Sequence, residues 1–298
     1  MALPSTLIRL VLLLGTVAAP LPAVAQTAPE PSVPLPHDGQ AMAPGVQVAA
    51  LEEALRIGDV IAVMREEGLE YGSSLEAELF PERGGSRWRA VVGLIYDTES
   101  MRKRFDAAFE AEVAQDPEAI GQMFDFFASD IGQRILQLEI EARRALLDEA
   151  AEEAAKVAVE EMSARNDPRL ELLREFAEAN DLIELNVVGA LNSNLAFYRG
   201  MADGSAFEQP MSEEDMLADV WSQEADVRRE TEAWLFPYLA LAYGSLSDAE
   251  LKDYIAFSKT PAGRKLNAAT FRAFDAVFSA ISRDLGRAAA RQMQGEDI

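Results

Sequence analysis

The chain has no cysteine and a single histidine, His37. The first absence removes thiol nucleophiles, iron–sulfur clusters, stapling disulfides and lipid attachment at a signal cysteine. The second leaves the chain beyond residue 45 with no imidazole. It therefore has no histidine base, no zinc site of the usual ligand set and no histidine-held haem there. Neither a Gly-rich phosphate loop nor a dinucleotide fingerprint occurs. No Asp/Asn-dense loop of the calcium type occurs either, so neither metal nor cofactor is expected. A Ser-x-x-Lys match spans Ser100 to Lys103. Its companion motifs are missing, because Lys259-Thr260-Pro261 lacks the glycine and no strand carries it.

Positive charge is scarce too. The 298 residues hold 27 Lys and Arg against 51 Asp and Glu, a formal net charge of −24. Such a balance repels nucleic acid and anionic lipid surfaces and suits cationic or neutral partners. With so many acids, close carboxylate pairs arise on every helix by chance, so no catalytic residue is assigned.

Long apolar runs are absent except near the start. One positive charge precedes the apolar segment Leu10–Ala19, Pro20 and Pro22 break it, and Ala23-Val24-Ala25 has the small-x-small form of a cleavage site. This predicts a signal peptide over residues 1–25, a periplasmic address in a Gram-negative bacterium and no stable membrane insertion after cleavage. A retained anchor would need a longer run, about 20 apolar residues. Residues 26–45 carry five prolines and His37, and read as a Pro-rich disordered tether.

What remains is helical in period, with no alternating run bounded by turn chemistry, so the fold class is all-α without a sheet. Expected features include a cap at Asp59, another at Thr98, and a helix opening at Asp116-Pro117. One long helix is expected from Ser129 to Met162, and a loop over Gly200–Pro210. A helix runs from Met211 to Tyr243, and a last one from Thr260-Pro261 to near Gln294. The plan recurs at an offset of 131 residues. Phe126 falls on Phe257, Ser129 on Thr260, Gly132 on Gly263, Arg134 on Lys265 and Ile135 on Leu266. Two related multi-helix units follow, residues 46–166 and 167–298, packed as one body by internal duplication.

The second copy, Leu246 to Lys265, contains Phe257-x-x-Thr260-Pro261-x-Gly263-x-Lys265. This stretch resembles the bacterial domain-of-unknown-function family 2059, exported helical proteins with a Phe, Thr/Ser-Pro, Gly, Lys signature. Ser258 stands where that family often has an aromatic residue, and in the first copy Asp130 replaces the proline and Ala119-Ile120 the Glu-Leu pair. The resemblance implies an all-α fold and an envelope address, and brings no activity or catalytic residues.

The motif has two readings. Structurally, Ser129, Ser247 and Thr260 are caps, Glu250 completes a capping box, Pro261 suits a first turn, and Gly132 and Gly263 admit a neighbouring helix. Phe126 and Phe257 then anchor the corners in the core. Functionally, the start of the last helix could hold an anion with Thr260, Gly263, Arg264 and Lys265. Along that helix Phe271, Phe274, Phe278, Ile281 and Leu285 form an apolar stripe. Lys265, Arg272, Arg283, Arg287 and Arg291 form a basic one, either paired with acids such as Glu139 and Glu141 or free to dock a protein partner.

Function is open at this stage among three classes. The leading one is a non-catalytic periplasmic interaction or scaffold protein. The second is a carrier of an apolar or lipid-like ligand among Phe124, Phe126, Phe127, Trp234, Phe236, Tyr238, Phe271, Phe274 and Phe278, which needs a cavity of at least ~300 Å³. The third is a carboxylate-dependent envelope hydrolase, marked by a buried carboxylate of raised pKa in a cleft.

Overall fold

The computed structural model describes residues 44–295 except 82 and 208. The signal peptide and nearly all of the tether lie outside these residues. Every regular element described is a helix, and no strand occurs among the described residues.

The first helix, α1 (Pro44–Ala54), begins within the segment read as tether. Arg56 then takes a left-handed conformation, φ 56°, and starts α2 (Ile57–Leu79). Asp59 is therefore not the cap; it lies in the first turn and accepts a bond from Arg56 Nε at 2.7 Å. Next come α3 (Gly85–Ile95) and α4 (Thr98–Val113). Asp97, not Thr98, caps α4, accepting from the Ser100 amide at 2.9 Å. Helices α5 (Pro117–Phe127) and α6 (Asp130–Ala145) form the first corner.

The expected long helix after Ser129 is two helices. Asp148 has extended backbone and accepts from the Ala151 amide, opening α7 (Glu149–Ala164). The local cap outcompetes continuation through an Ala-rich sequence, because it satisfies an otherwise orphaned amide. Then follow α8 (Pro168–Ala179) and α9 (Leu182–Asp203), which occupies part of the stretch expected as a loop. Ser212 caps α10 (Glu213–Ser222), and a break at Gln223 separates it from α11 (Glu224–Tyr243). The span from Met211 to Tyr243 is thus two helices as well. Helices α12 (Asp248–Ser258) and α13 (Pro261–Gln294) form the second corner.

Helix α13 has 34 residues, about 50 Å at 1.5 Å per residue, and serves as the spine. It packs along α9 and crosses α4, α5, α3 and α12. The tightest approach is at Gly200 and Gly286, whose missing side chains let backbone meet backbone. A Cβ on Gly200 would stand 2.1 Å from the Arg283 carbonyl, and one on Gly286 would stand 2.3 Å from that of Phe197. Helix α11 covers the other side, against α6, α7, α8 and α9. The main core draws residues from Val48 to Ala290, and a smaller cluster around Val187, Tyr198 and Val227 lies beside it. Phe271, Phe274, Phe278, Ile281 and Leu285 are all buried in the main core. No described helix is long and apolar enough to cross a membrane.

Candidate functional site

The two corners related by the 131-residue offset have the same local chemistry. Ser129 Oγ accepts from the Gly132 amide at 3.2 Å and donates to the Phe126 carbonyl at 2.6 Å. Thr260 Oγ1 accepts from the Gly263 amide at 2.9 Å and donates to the Phe257 carbonyl at 2.7 Å. The glycines are required by the turn itself. A Cβ on Gly132 or Gly263 would meet the Phe126 or Phe257 carbonyl oxygen at 2.2 or 2.1 Å. What approaches each is the end of the preceding helix, not a distant one.

The corners also meet each other. Phe126 and Phe257 stack with ring centroids 4.2 Å apart and planes 13° apart. Arg134 reaches Glu250 at 2.7 Å, while Lys265 reaches Asp116 at 2.9 Å. Each basic residue of the repeated motif thus crosses to the start of the other unit's preceding helix.

Facing the stacked corners lies a partly open cavity of about 130 Å³. Its walls are mainly apolar and aromatic, with Phe127, Phe176, Trp234, Tyr238, Tyr254, Phe271 and Phe274 among them. Five of the nine aromatic residues expected to surround a ligand are present. Phe124, Phe126, Phe236 and Phe278 lie outside it, and Phe176, Tyr243, Tyr254 and Phe257 were not anticipated. Asn180, Asn186, Ser258, Asn267 and Thr270 add polar groups. The volume falls below the ~300 Å³ of a drug-sized pocket. It is comparable to the roughly 150 Å³ engineered cavity that takes up a single benzene ring, so the site fits one ring or a short chain rather than a lipid.

The acid lining this cavity is Glu139, on the inner face of α6 and completely buried. Its Oε1 accepts from the Tyr243 hydroxyl at 2.5 Å, and its Oε2 has no partner of hydrogen-bonding geometry. Burial pushes the carboxyl up to about 8, against the lowering effect of the Tyr243 and Tyr254 hydroxyls. At neutral pH Glu139 is a protonated acid in an apolar, tyrosine-lined slot. The hydroxyls of Tyr238, Tyr243 and Tyr254 all stay protonated, raised well above their ordinary value by burial first and the nearby carboxyl second.

One turn further along α6, Arg143 is also buried and grips Glu67 of α2 with two bonds of 2.6 and 2.7 Å. The fork-to-fork geometry fixes α2 against α6. Burial outweighs the attraction of Arg143 and leaves Glu67 above the usual carboxylate range. The pair consumes the nearest buried cation, so Glu139 has no counter-charge of its own.

The residues proposed for an anion or partner are mostly engaged. Thr260 and Gly263 bond each other, Arg264 donates to the Lys259 carbonyl, and Lys265 holds Asp116. Arg272 pairs with Glu112, Arg283 with Asp203, and Arg287 with Asp203 and Asp284. Arg291 is exposed in the last turn of α13. Glu139 and Glu141 are not the acids in these pairs, because α6 and α13 do not lie side by side. Glu139 points inward, and Glu141 accepts from Gln137 at 2.8 Å. Pro261 occupies the first turn of α13, and the Ser247–Glu250 capping box has both of its bonds.

Sequence reasoning took Glu139 only as an acid that could pair with the basic stripe of the last helix, and one acid among 51 carries no mark of burial. The one available signal is its position on the face shared by Ile135, Leu136 and Arg143, at helical spacing.

No curated protein and no solved structure matches the chain. The model of the family described as "Uncharacterized protein conserved in bacteria (DUF2059)" matches residues 99–161. That segment holds α4, α5, α6 and part of α7, and includes Glu139 and the first corner. The match covers the first corner, where Asp130 stands in place of the proline, and not the Leu246–Lys265 stretch that carries the resemblance. Over residues 99–161, the stretch that supplies the buried acid, the chain is similar to this bacterial family.

Proposed function

We propose that this protein binds a small, largely apolar molecule in the cavity over Glu139, as an exported binding protein of the bacterial envelope. One observation carries the binding reading: a completely buried carboxylic acid leaves Oε2 without a partner and lines an apolar cavity. An unsatisfied buried polar group costs about 1–3 kcal/mol, and a strongly shifted acid in a cleft is a mark of a functional site. Among the residues lining the cavity Glu139 is the sole acid. Carboxylate hydrolysis of the glycosidase type takes two, so binding is favoured over the hydrolase reading. Export rests on the N-terminal segment with its Ala23-Val24-Ala25 site.

Native mass spectrometry of the protein expressed with its own N-terminus tests both parts. The expected result is a chain beginning at Gln26 that carries an excess mass lost on denaturation. Added toluene or phenol should raise the melting temperature of ligand-stripped protein, and filling the cavity with Leu239→Trp should abolish that shift. A bare polypeptide together with no response to either probe would overturn the binding reading, and an unprocessed N-terminus the exported one.

A further inference from the structure

The proposed binding site also specifies the chemistry of its ligand's head. Two buried polar atoms in the cavity wall lack partners, one an acceptor only when its acid is ionised and the other an acceptor always. One is Oε2 of Glu139; the other is Oδ1 of Asn186, on α9. The orientation of Asn186 is fixed by chemistry, since its Nδ2 donates at 2.7 Å to the Leu182 carbonyl, which can only accept. Its oxygen is therefore the free end. Both residues are at least nine-tenths buried. No Lys or Arg lines the cavity, and Arg143 nearby is held by Glu67. The walls add aromatic faces, with Trp234 stacked on Tyr238 at 5.0 Å and Phe271 beyond. With Glu139 ionised, two unmatched acceptors, aromatic walls and no resident cation are the features that hold an ammonium group.

We propose that the cavity takes a small primary amine, its ammonium donating to Glu139 Oε2 and Asn186 Oδ1 and its apolar body resting against Trp234, Tyr238 and Phe271. This rests on the binding reading above. The proton balance follows from the surroundings of Glu139. The titratable groups that face it are Tyr238 and Tyr243 of α11 and Tyr254 of α12, with Arg143 on its own helix and Glu67 of α2 beyond. The tyrosines stay neutral and the Arg143–Glu67 pair is self-compensated. Binding of an ammonium ion therefore ionises Glu139 alone and releases its one proton to solvent. The chain's net charge of −24 attracts the cation from a distance.

Isothermal titration of the full mature chain near pH 7, in two buffers of different ionisation heat, distinguishes the possibilities. The probes are benzylamine, benzyl alcohol, toluene and benzoate. Benzylamine is expected to bind at least tenfold more tightly than the others and to release close to one proton per molecule. Its affinity should rise by about tenfold per pH unit up to the Glu139 value and then level off. Glu139→Gln should bring benzylamine down to the level of benzyl alcohol and abolish the proton release. Asn186→Leu, which leaves the acid in place, should weaken benzylamine without weakening toluene. Toluene or benzoate binding as tightly as benzylamine, or benzylamine binding without proton release, would overturn the amine assignment while sparing the binding reading. Failure of all four probes would sink both.

Discussion

The corner α5–α6 and the corner α12–α13 use the same parts in the same order. Each carries a phenylalanine in the last turn of one helix, caps the next with a hydroxyl, and brings the chain back across a glycine. One turn beyond, they part company. At the 131-residue offset Glu139 corresponds to Thr270 and Arg143 to Phe274. Thr270 and Phe274 line the same cavity as Glu139. The two helices thus contribute to one space, one supplying a buried acid, the other a hydroxyl and a ring. The lesson is that the repeated motif builds the scaffold, and the difference between its two surroundings builds the site.

The sharpest way to break the comparison is at Arg143 and Phe274. Arg143→Met orphans Glu67 in the core and should destabilise by about 3–5 kcal/mol. Phe274→Ala should cost a similar ~3–5 kcal/mol through a cavity. Only the first is rescued by a second change, Glu67→Leu, which removes the stranded acid. Chemical denaturation of the single and double variants measures this, and an unrescued Arg143→Met would show that the arginine packs rather than pairs.

The corners themselves should respond alike. Gly132→Ala and Gly263→Ala each force a Cβ onto a backbone carbonyl, which should cost about 1–3 kcal/mol at either site. A difference of more than ~1 kcal/mol in thermal unfolding would show that the corners are equivalent in shape but not in strain.

Next is a pH dependence dominated by Glu139, on one side of the comparison. Unfolded, Glu139 loses its proton near the ordinary 4.5; folded, it keeps the proton to about 8. Between those values the folded state binds more protons, so stability falls as pH rises, by at most about 1.4 kcal/mol per unit. Glu139→Gln should reduce that slope, leaving the part that comes from Glu52, Glu67 and Asp275, which burial also raises, whereas Thr270→Val should leave the slope in place. Asp97, Asp116, Asp203, Glu184, Glu213 and Glu250 are held below their usual range by hydrogen bonds. Their contribution appears at lower pH and with the opposite sign, lost as pH falls. Unfolding followed across pH 3–9 separates the two limbs.

The smallest effect is at the reciprocal ties. Arg134→Met and Lys265→Met each remove a partly exposed ion pair and should cost less than about 1 kcal/mol. Their double variant tests whether the crossed arrangement adds anything beyond the sum.

The corners were legible because their instructions are local. Ser247 with Glu250, Asp116 with Pro117 and Thr260 with Pro261 each satisfy or remove orphaned amides within one turn. The breaks at Asp148 and Gln223 were not, because strong helix formers run through both and a cap or a bend competes only by a small margin. The crossing at Gly200 and Gly286 was missed for another reason. Neither glycine has φ in the left-handed region, and their role exists only when α9 and α13 are side by side.

By itself the sequence determined an all-α chain, the caps at Asp116, Ser129, Ser247 and Thr260, and the apolar stripe of α13. These depend on chemistry within a turn or on a period of 3.6 residues. Only the tertiary structure decided that Glu139 would be withdrawn from water into the cavity wall with its Oε2 unpartnered. Burial is a sum over neighbours from α9, α11, α12 and α13, and no window of sequence around residue 139 contains them.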